Sequence, residues 1–232
     1  GCHFITTFHG AYGTSGSLKR RYNAVMTKGE LVIANSEFTA NHIMHTYPME
    51  QKNLRVIRRG VDISIYNPGA VTQARVIQLA GQWRLPDGKS VIMLPGRLTA
   101  WKGHRVLLDA LTHLTRDDYV VVFVGDEQGR AEYRHQLERQ VEQNDLGHIV
   151  RFAGPCRDMP AAYMSADVVV SASTKPEAFG RVIVEGQAMG RPVVAFDHGG
   201  AKETILGGET GLLVEPGNAA ELAQALGAAL DL

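Results

Sequence analysis

The sequence predicts an α/β protein built on a doubly wound parallel sheet, and three observations carry that expectation. Short apolar runs rich in Val and Ile recur along the 232 residues. They are continuously apolar rather than alternating, which marks strands buried on both faces. Segments of helical periodicity separate them, and strand–helix–strand repetition winds most readily into a parallel sheet.

Each element follows in order. The strands are expected at "HFITTF", "LVIAN", "LRVIR", "SVIML", "YVVVFV", "HIVRFA", "DVVVSAS" and "RPVVAF". A helix containing "ARVIQLAGQW" precedes the fourth. Val106, Leu107, Ala110, Leu111 and Leu114 form one helical stripe. Tyr133, Leu137 and Val141 form another, and Leu222, Leu226, Ala229 and Leu230 the last. Pro68 and Gly69, within "GVDISIYNPGAV", break the chain before the second strand series. Residues 1–67 therefore read as the end of one α/β domain with its linker, and residues 68–232 as a second α/β domain. No internal repeat or low-complexity tract interrupts either.

Composition narrows the function. Lys plus Arg number 24 and Asp plus Glu 24, so net charge is zero and gives no general argument for nucleic-acid binding. No apolar run reaches the ~18 residues a membrane-spanning helix needs. Cys2 and Cys156 are too few and too far apart for a disulfide scaffold or a metal site, which suits a reducing compartment. The sequence opens on "GCHFITTFHG", without an initiator methionine and already inside an apolar run, so a leader is not judged from residue 1.

In open α/β sheets ligands bind beyond the carboxyl ends of the strands. After "SVIML" come Pro95, Gly96, Arg97 and, five residues on, Lys102. Gly96 and Gly103 allow close backbone approach. Arg97 as a fork and Lys102 as a point charge would clamp a diphosphate; two solvated surface cations is the plainer alternative. "VVVFVGDEQGR" ends a strand in Gly-Asp, a ligand approach or a simple turn.

The third loop, "TKPEAFG", leads into a helix from about Gly180, so Phe179, Gly180, Arg181 and Val182 carry unpaired N–H groups at the positive end of a helix dipole. Such an end suits phosphate. Glu177 lies just before it and Glu185 one turn inside. Carboxylates only accept hydrogen bonds, which suits sugar hydroxyls. The set outlines a nucleotide-sugar: ribose, diphosphate, hexose. Alternatively, Glu177 favours the dipole and Glu185 is an exposed helix charge. The absence of G-x-G-x-x-G after a strand counts against a nicotinamide enzyme.

The E-x7-E pattern in "PEAFGRVIVEGQAMGRPVVAFDHGGAKETI…TGLLVEPGNAAELAQAL", with "LPGRLTAWKG" upstream, resembles the donor half of a retaining glycosyltransferase of GT-B fold, family 4. "TTFHG", "VIANSEFTANHI" and "LRVIRRGVDISIYNP" are similar to the end of that family's N-terminal domain and its linker. The resemblance covers nearly the whole chain, in the family's order.

The resemblance implies roles position by position. Arg97 and Lys102, beside Gly96, match the basic pair on the donor diphosphate. Glu177 matches the glutamate facing the transferred sugar, and the backbone of Phe179, Gly180, Arg181 and Val182 the phosphate-binding helix start. Glu185 matches the glutamate on the ribose hydroxyls, and His9 a histidine at the interdomain cleft. By itself a lone histidine at a strand end would read as structural. His198 in "FDHGG" reads as a turn residue. The strand "HIVRFAG" ends near where the family seats its base, and no residue there names that base.

The resemblance further implies a UDP- or GDP-linked sugar as co-substrate, no resident cofactor or metal, and a glycan or lipid-linked acceptor. It places the protein in the cytoplasm or at the inner face of the membrane, with peripheral membrane contact through an N-terminal domain. Most of that domain is not in the sequence, so the chain alone is expected to transfer sugar weakly or not at all. A nucleotide-sugar epimerase or glycogen-synthase-like relative is the nearest rival. A nucleotide-sugar-binding module without catalysis is the rival from outside the enzymes.

Overall fold

The computed structural model describes residues 2–12, 16–129 and 131–232. By packing, the chain divides into two units. The smaller comprises Gly1–Gly60, Pro176–Gly180 and His198–Thr204. The larger comprises Val61–Lys175, Arg181–Asp197 and Ile205–Leu232.

The smaller unit carries β1 (Ile5–Phe8), α1 (Ser17–Asn23), β2 (Leu31–Ala34), α2 (Glu37–Thr46) and β3 (Leu54–Val56). Its three strands are parallel in the order β1-β2-β3, with Phe8 beside Ala34 and Ala34 beside Val56. Phe8, Val32, Ala34, Ala40, Ile43 and Tyr47 form its buried core. Ser36 caps α2, its hydroxyl accepting from the Thr39 N–H at 3.0 Å.

Glu203 completes that cap from far along the chain. Its carboxylate accepts from the N–H groups of Glu37 at 2.9 Å and Phe38 at 2.8 Å. An anion on two orphan donors at a helix start is favoured by both hydrogen bonding and dipole. Arg58 bridges Glu37 and Glu203 at 3.0 and 3.4 Å. Glu203→Ala should therefore cost about 1–2 kcal/mol, the size of a lost helix cap. Urea denaturation checks it, and an unchanged midpoint would show the cap to be idle.

The larger unit runs α3 (Gln73–Trp83), β4 (Ser90–Pro95), α4 (His104–Leu111), β5 (Tyr119–Val124), α5 (Ala131–Gln143), β6 (Val150–Gly154), α6 (Met159–Met164), β7 (Val168–Ser171), α7 (Arg181–Ala188), β8 (Val193–Phe196), α8 (Ala201–Thr204), β9 (Gly211–Val214) and α9 (Ala219–Leu230), of which α8 packs with the smaller unit. Six strands form one parallel sheet in the order β6-β5-β4-β7-β8-β9. Within the unit this is third, second, first, fourth, fifth, sixth, the order of a Rossmann sheet. Every residue of β5, β7 and β8 is buried, as their unbroken Val-rich sequences require.

The expected α/β class with parallel sheets is the observed one, and all eight expected strands form. The ninth, β9, was not anticipated. Its four residues sit between glycine and proline signals that read more readily as a turn. The stripes of α4, α5 and α9 face the core, joined there by Leu108 and Ala223.

Candidate nucleotide-sugar site

Strand order reverses between β4 and β7, which pair through Ile92–Val168 and Met93–Val169. A crevice opens at the carboxyl ends of such a pair because their outgoing connections run to opposite sides. The loop after β4 is therefore at the place where an α/β sheet receives its ligand.

That loop is tightly built. Gly96 N–H donates to the Val124 carbonyl at 2.8 Å and Leu98 N–H to that of Asp126 at 2.8 Å, so the tips of β4 and β5 are joined. Lys102 folds its aliphatic stem over Gly96, where an added Cβ would lie 3.4 Å from the lysine Cδ. Its ammonium stands 4.4 Å from the Trp101 ring centroid, a cation–π contact. Arg97 is exposed and donates from Nη1 to the Gln128 side chain at 3.2 Å. The structure thus gathers Gly96, Arg97 and Lys102 at one strand tip.

The β7 tip adjoins it. Thr174 N–H donates to the Trp101 carbonyl at 2.7 Å. Gly103 has φ +79°, and a Cβ there would fall 1.7 Å from the Ala172 carbonyl oxygen. Only glycine allows α4 to start this close to β7. Next to it His104 is fully buried, with its ring edge-on to Phe123 at 5.0 Å and Tyr133 at 6.1 Å. Burial first, and then the Lys102 charge, pull its pKa down to about 3, so the imidazole is neutral.

Helix α7 begins at Arg181, one residue later than expected. Gly180, just before it, has φ +85°, outside helical geometry. Arg181 is exposed and Val182 half-buried. Glu185 is only 8% exposed and accepts from the Tyr163 hydroxyl at 2.8 Å. Its other oxygen lies 3.8 Å from Arg181 Nε. Glu185 is thus no solvated helix charge. Tyr163 was missed by sequence reasoning, because a tyrosine in a short helix reads as ordinary core.

The remaining expected residues group with the smaller unit. Glu177, Phe179 and Gly180 pack with it, although the sequence places them in the second domain. The cause is local. Gly200 N–H donates to the Glu177 carbonyl at 2.8 Å, and Gly200 lies so close that a Cβ would meet Phe179 Cα at 2.5 Å. The same segment carries Glu203, tied to α2. His9 is exposed, its Nδ1 3.1 Å from Arg59 Nη2, and its carbonyl accepts from Asn35. His198 lies in a bend after β8.

Sheet order and strand-tip loops define the class: an open, doubly wound α/β protein with a topological switch point between β4 and β7. The model of glycosyl transferases group 1 matches residues 77–232, and that of glycosyltransferase family 4 matches residues 1–65. The chain belongs to the glycosyl transferases group 1 family.

Its relatives agree in fold. A Rickettsia africae glycosyltransferase structure superposes with a TM-score of 0.90 at 36% identity, over 98% of this chain and 60% of that one. Anabaena HepE, solved with UDP and glucose, superposes with 0.88 at 30% identity, over 98% and 61%. It was also solved with UDP-glucose. The D-inositol 3-phosphate glycosyltransferase 1 of Catenulispora acidiphila is 31% identical over 90% of this chain and 51% of its own length. The chain spans about half the length of the curated relatives it matches. Among the described residues no helix is long and apolar enough to cross a membrane.

Proposed function

We propose that the protein binds a nucleotide-diphosphate sugar, UDP-linked, and serves the transfer of its sugar to an acceptor with retention of anomeric configuration. The observation that carries this is the pairing of Arg97 and Lys102 at the β4 tip, on the switch point of the larger unit's sheet. Arg97 and Lys102 hold the diphosphate, helped by the N–H groups at the start of α7, and Glu185 takes the ribose hydroxyls. The family resemblance assigns Glu177 to the transferred sugar and His9 to the reaction. UDP is favoured over GDP because HepE, at 30% identity, was solved with UDP and UDP-glucose.

The chemistry follows from charge. Breaking the sugar–phosphate bond leaves growing negative charge on the diphosphate. Cations and helix donors aimed at that charge stabilise it more in the transition state than in the ground state, which is what accelerates the step. The departing phosphate then takes the acceptor's proton, so no separate pair of general bases is assigned. No resident metal or cofactor is part of the proposal.

The acceptor is a glycan or lipid-linked glycan, in polysaccharide or glycoconjugate synthesis, at the cytoplasmic face of the membrane. Inositol 3-phosphate is the second reading, favoured by the names of the curated relatives. Turnover by this chain alone is proposed to be weak, so the first test reads binding.

Calorimetric titration with UDP, GDP and ADP should show saturable UDP binding, weakened about 100-fold or more in Arg97→Ala/Lys102→Ala, as expected for two charge-assisted contacts. Equal affinity in the double variant would refute the clamp. Glu177→Ala should keep UDP affinity while sugar transfer is lost. Transfer that survives this change would refute the role given to Glu177.

A further inference from the structure

The buried pair of Tyr163 and Glu185 carries an inference that rests on the donor site proposed above and deepens it. A carboxylate on a helix normally turns to water, and burying one is costly unless it is hydrogen-bonded. Glu185 is buried all the same, and the phenol of Tyr163 meets its Oε2 at 2.8 Å. The second oxygen, Oε1, is 3.8 Å from Arg181 Nε, too long for a hydrogen bond. Tyr66 also faces this carboxylate, and burial and Glu185 hold its phenol pKa above the usual tyrosine value, so it too is a donor. Each carboxylate oxygen has two acceptor sites, so the group still has capacity to accept at Oε1.

Tyr163 is well placed to hold that arrangement. It is fully buried, and its ring meets Tyr66 edge-on at 6.0 Å. Its helix, α6, is anchored at its start by Asp158, which caps the Ala161 N–H at 3.2 Å. The same carboxylate takes a two-pronged contact from Arg75 of α3, at 2.8 and 2.6 Å. On the other side, Gly186 seats α7 against the sheet, where a Cβ would lie 3.2 Å from Val193 Cγ2. Both partners of the pair are thus held by packed helices rather than by loops. Burial and the adjoining carboxylate keep the Tyr163 pKa well above the usual tyrosine value, so the phenol remains a donor.

We infer that Tyr163 is a positioning residue for Glu185: it binds Oε2 and fixes the carboxylate so that Oε1 is presented to the ribose hydroxyls, making Tyr163 a determinant of ribose over deoxyribose recognition. A carboxylate free to rotate would accept from water or Arg181 as readily as from a diol, and the distinction between the two sugars would fade.

The test is calorimetric titration of the full chain with UDP and with 2′-deoxy-UDP, on wild type, Glu185→Gln and Tyr163→Phe. Wild type should prefer UDP by about tenfold or more, the effect of a hydrogen bond to a charged group. Glu185→Gln should bring the ratio close to one. Tyr163→Phe, which keeps the ring and removes only the hydroxyl, should lower it most of the way while 2′-deoxy-UDP still binds. A wild-type ratio in Tyr163→Phe, with the ratio lost in Glu185→Gln, overturns the positioning role and leaves the donor site standing. An unchanged ratio in Glu185→Gln, or no preference in wild type, overturns the ribose assignment and this inference with it. If Tyr163→Phe does not fold, 3,5-difluorotyrosine at position 163 replaces it. That residue should be read against 4-fluorophenylalanine at position 163, which fills the hydroxyl's space without donating: the ratio should stay near wild type with the difluorotyrosine and fall with the fluorophenylalanine, and a wild-type ratio in the latter overturns the inference.

Discussion

Gly103→Ala is expected to destabilise the larger unit by about 3–4 kcal/mol, lowering the melting temperature by about 10 °C. Two effects add. The left-handed backbone, at φ +79°, costs a non-glycine residue roughly 1 kcal/mol. The new methyl would also lie 1.7 Å from the Ala172 carbonyl oxygen and 2.6 Å from its carbon. Both are backbone atoms at the end of β7, so no side chain can turn aside, and either α4 or the strand tip must move. Gly217→Ala is the control. It has φ +83° but nothing within 4 Å of the added carbon, so it should cost only the backbone term. Equal losses in the two variants would show that strain, not the closeness of α4 to β7, sets the requirement. Where Gly103→Ala remains folded, its UDP affinity should fall too, because the same movement displaces Lys102.

Acid should unfold the protein partly through His104. The ring is neutral in the native state, with its pKa pulled down to about 3, and in the unfolded chain it titrates near the usual value of 6.5. Above pH 6.5 both states are neutral and the residue contributes no pH dependence. Below 6.5 the unfolded state binds a proton that the native state refuses, so stability falls as pH falls, levelling off below about 3. Between pH 7 and pH 5 the loss is on the order of 2 kcal/mol. His104→Leu removes the titrating group, so its stability should fall by that much less over the same interval. Urea denaturation of both proteins at pH 7 and pH 5 measures the difference, and parallel losses would assign the acid sensitivity elsewhere.

Much of this was readable in advance. Tyr119–Val124 and Val168–Ser171 contain only residues that a doubly covered strand can use, and they are strands with every residue buried. Pro95 at the end of β4, the glycines after it and the spacing of Arg97 and Lys102 marked a candidate loop at a strand tip, because backbone freedom and charge are local properties. Glu185 was legible as a carboxylate in a helix. Its burial was not, since that depends on Tyr163, which lies 22 residues earlier and on another helix.

The sequence by itself determined the α/β class, the eight strands it named and the strand-tip loops that hold the charged residues, because these follow from periodicity, volume and turn chemistry within short windows. Only the tertiary structure decided the order β6-β5-β4-β7-β8-β9, and with it the switch point on which Arg97 and Lys102 stand. It alone joined Glu203 to the start of α2, grouping Glu177 with the smaller unit. It alone buried Glu185 against a phenol and His104 between two rings. Each of these is a contact between residues far apart in the chain. Its energy comes from desolvation and hydrogen bonding in a place that no local window contains.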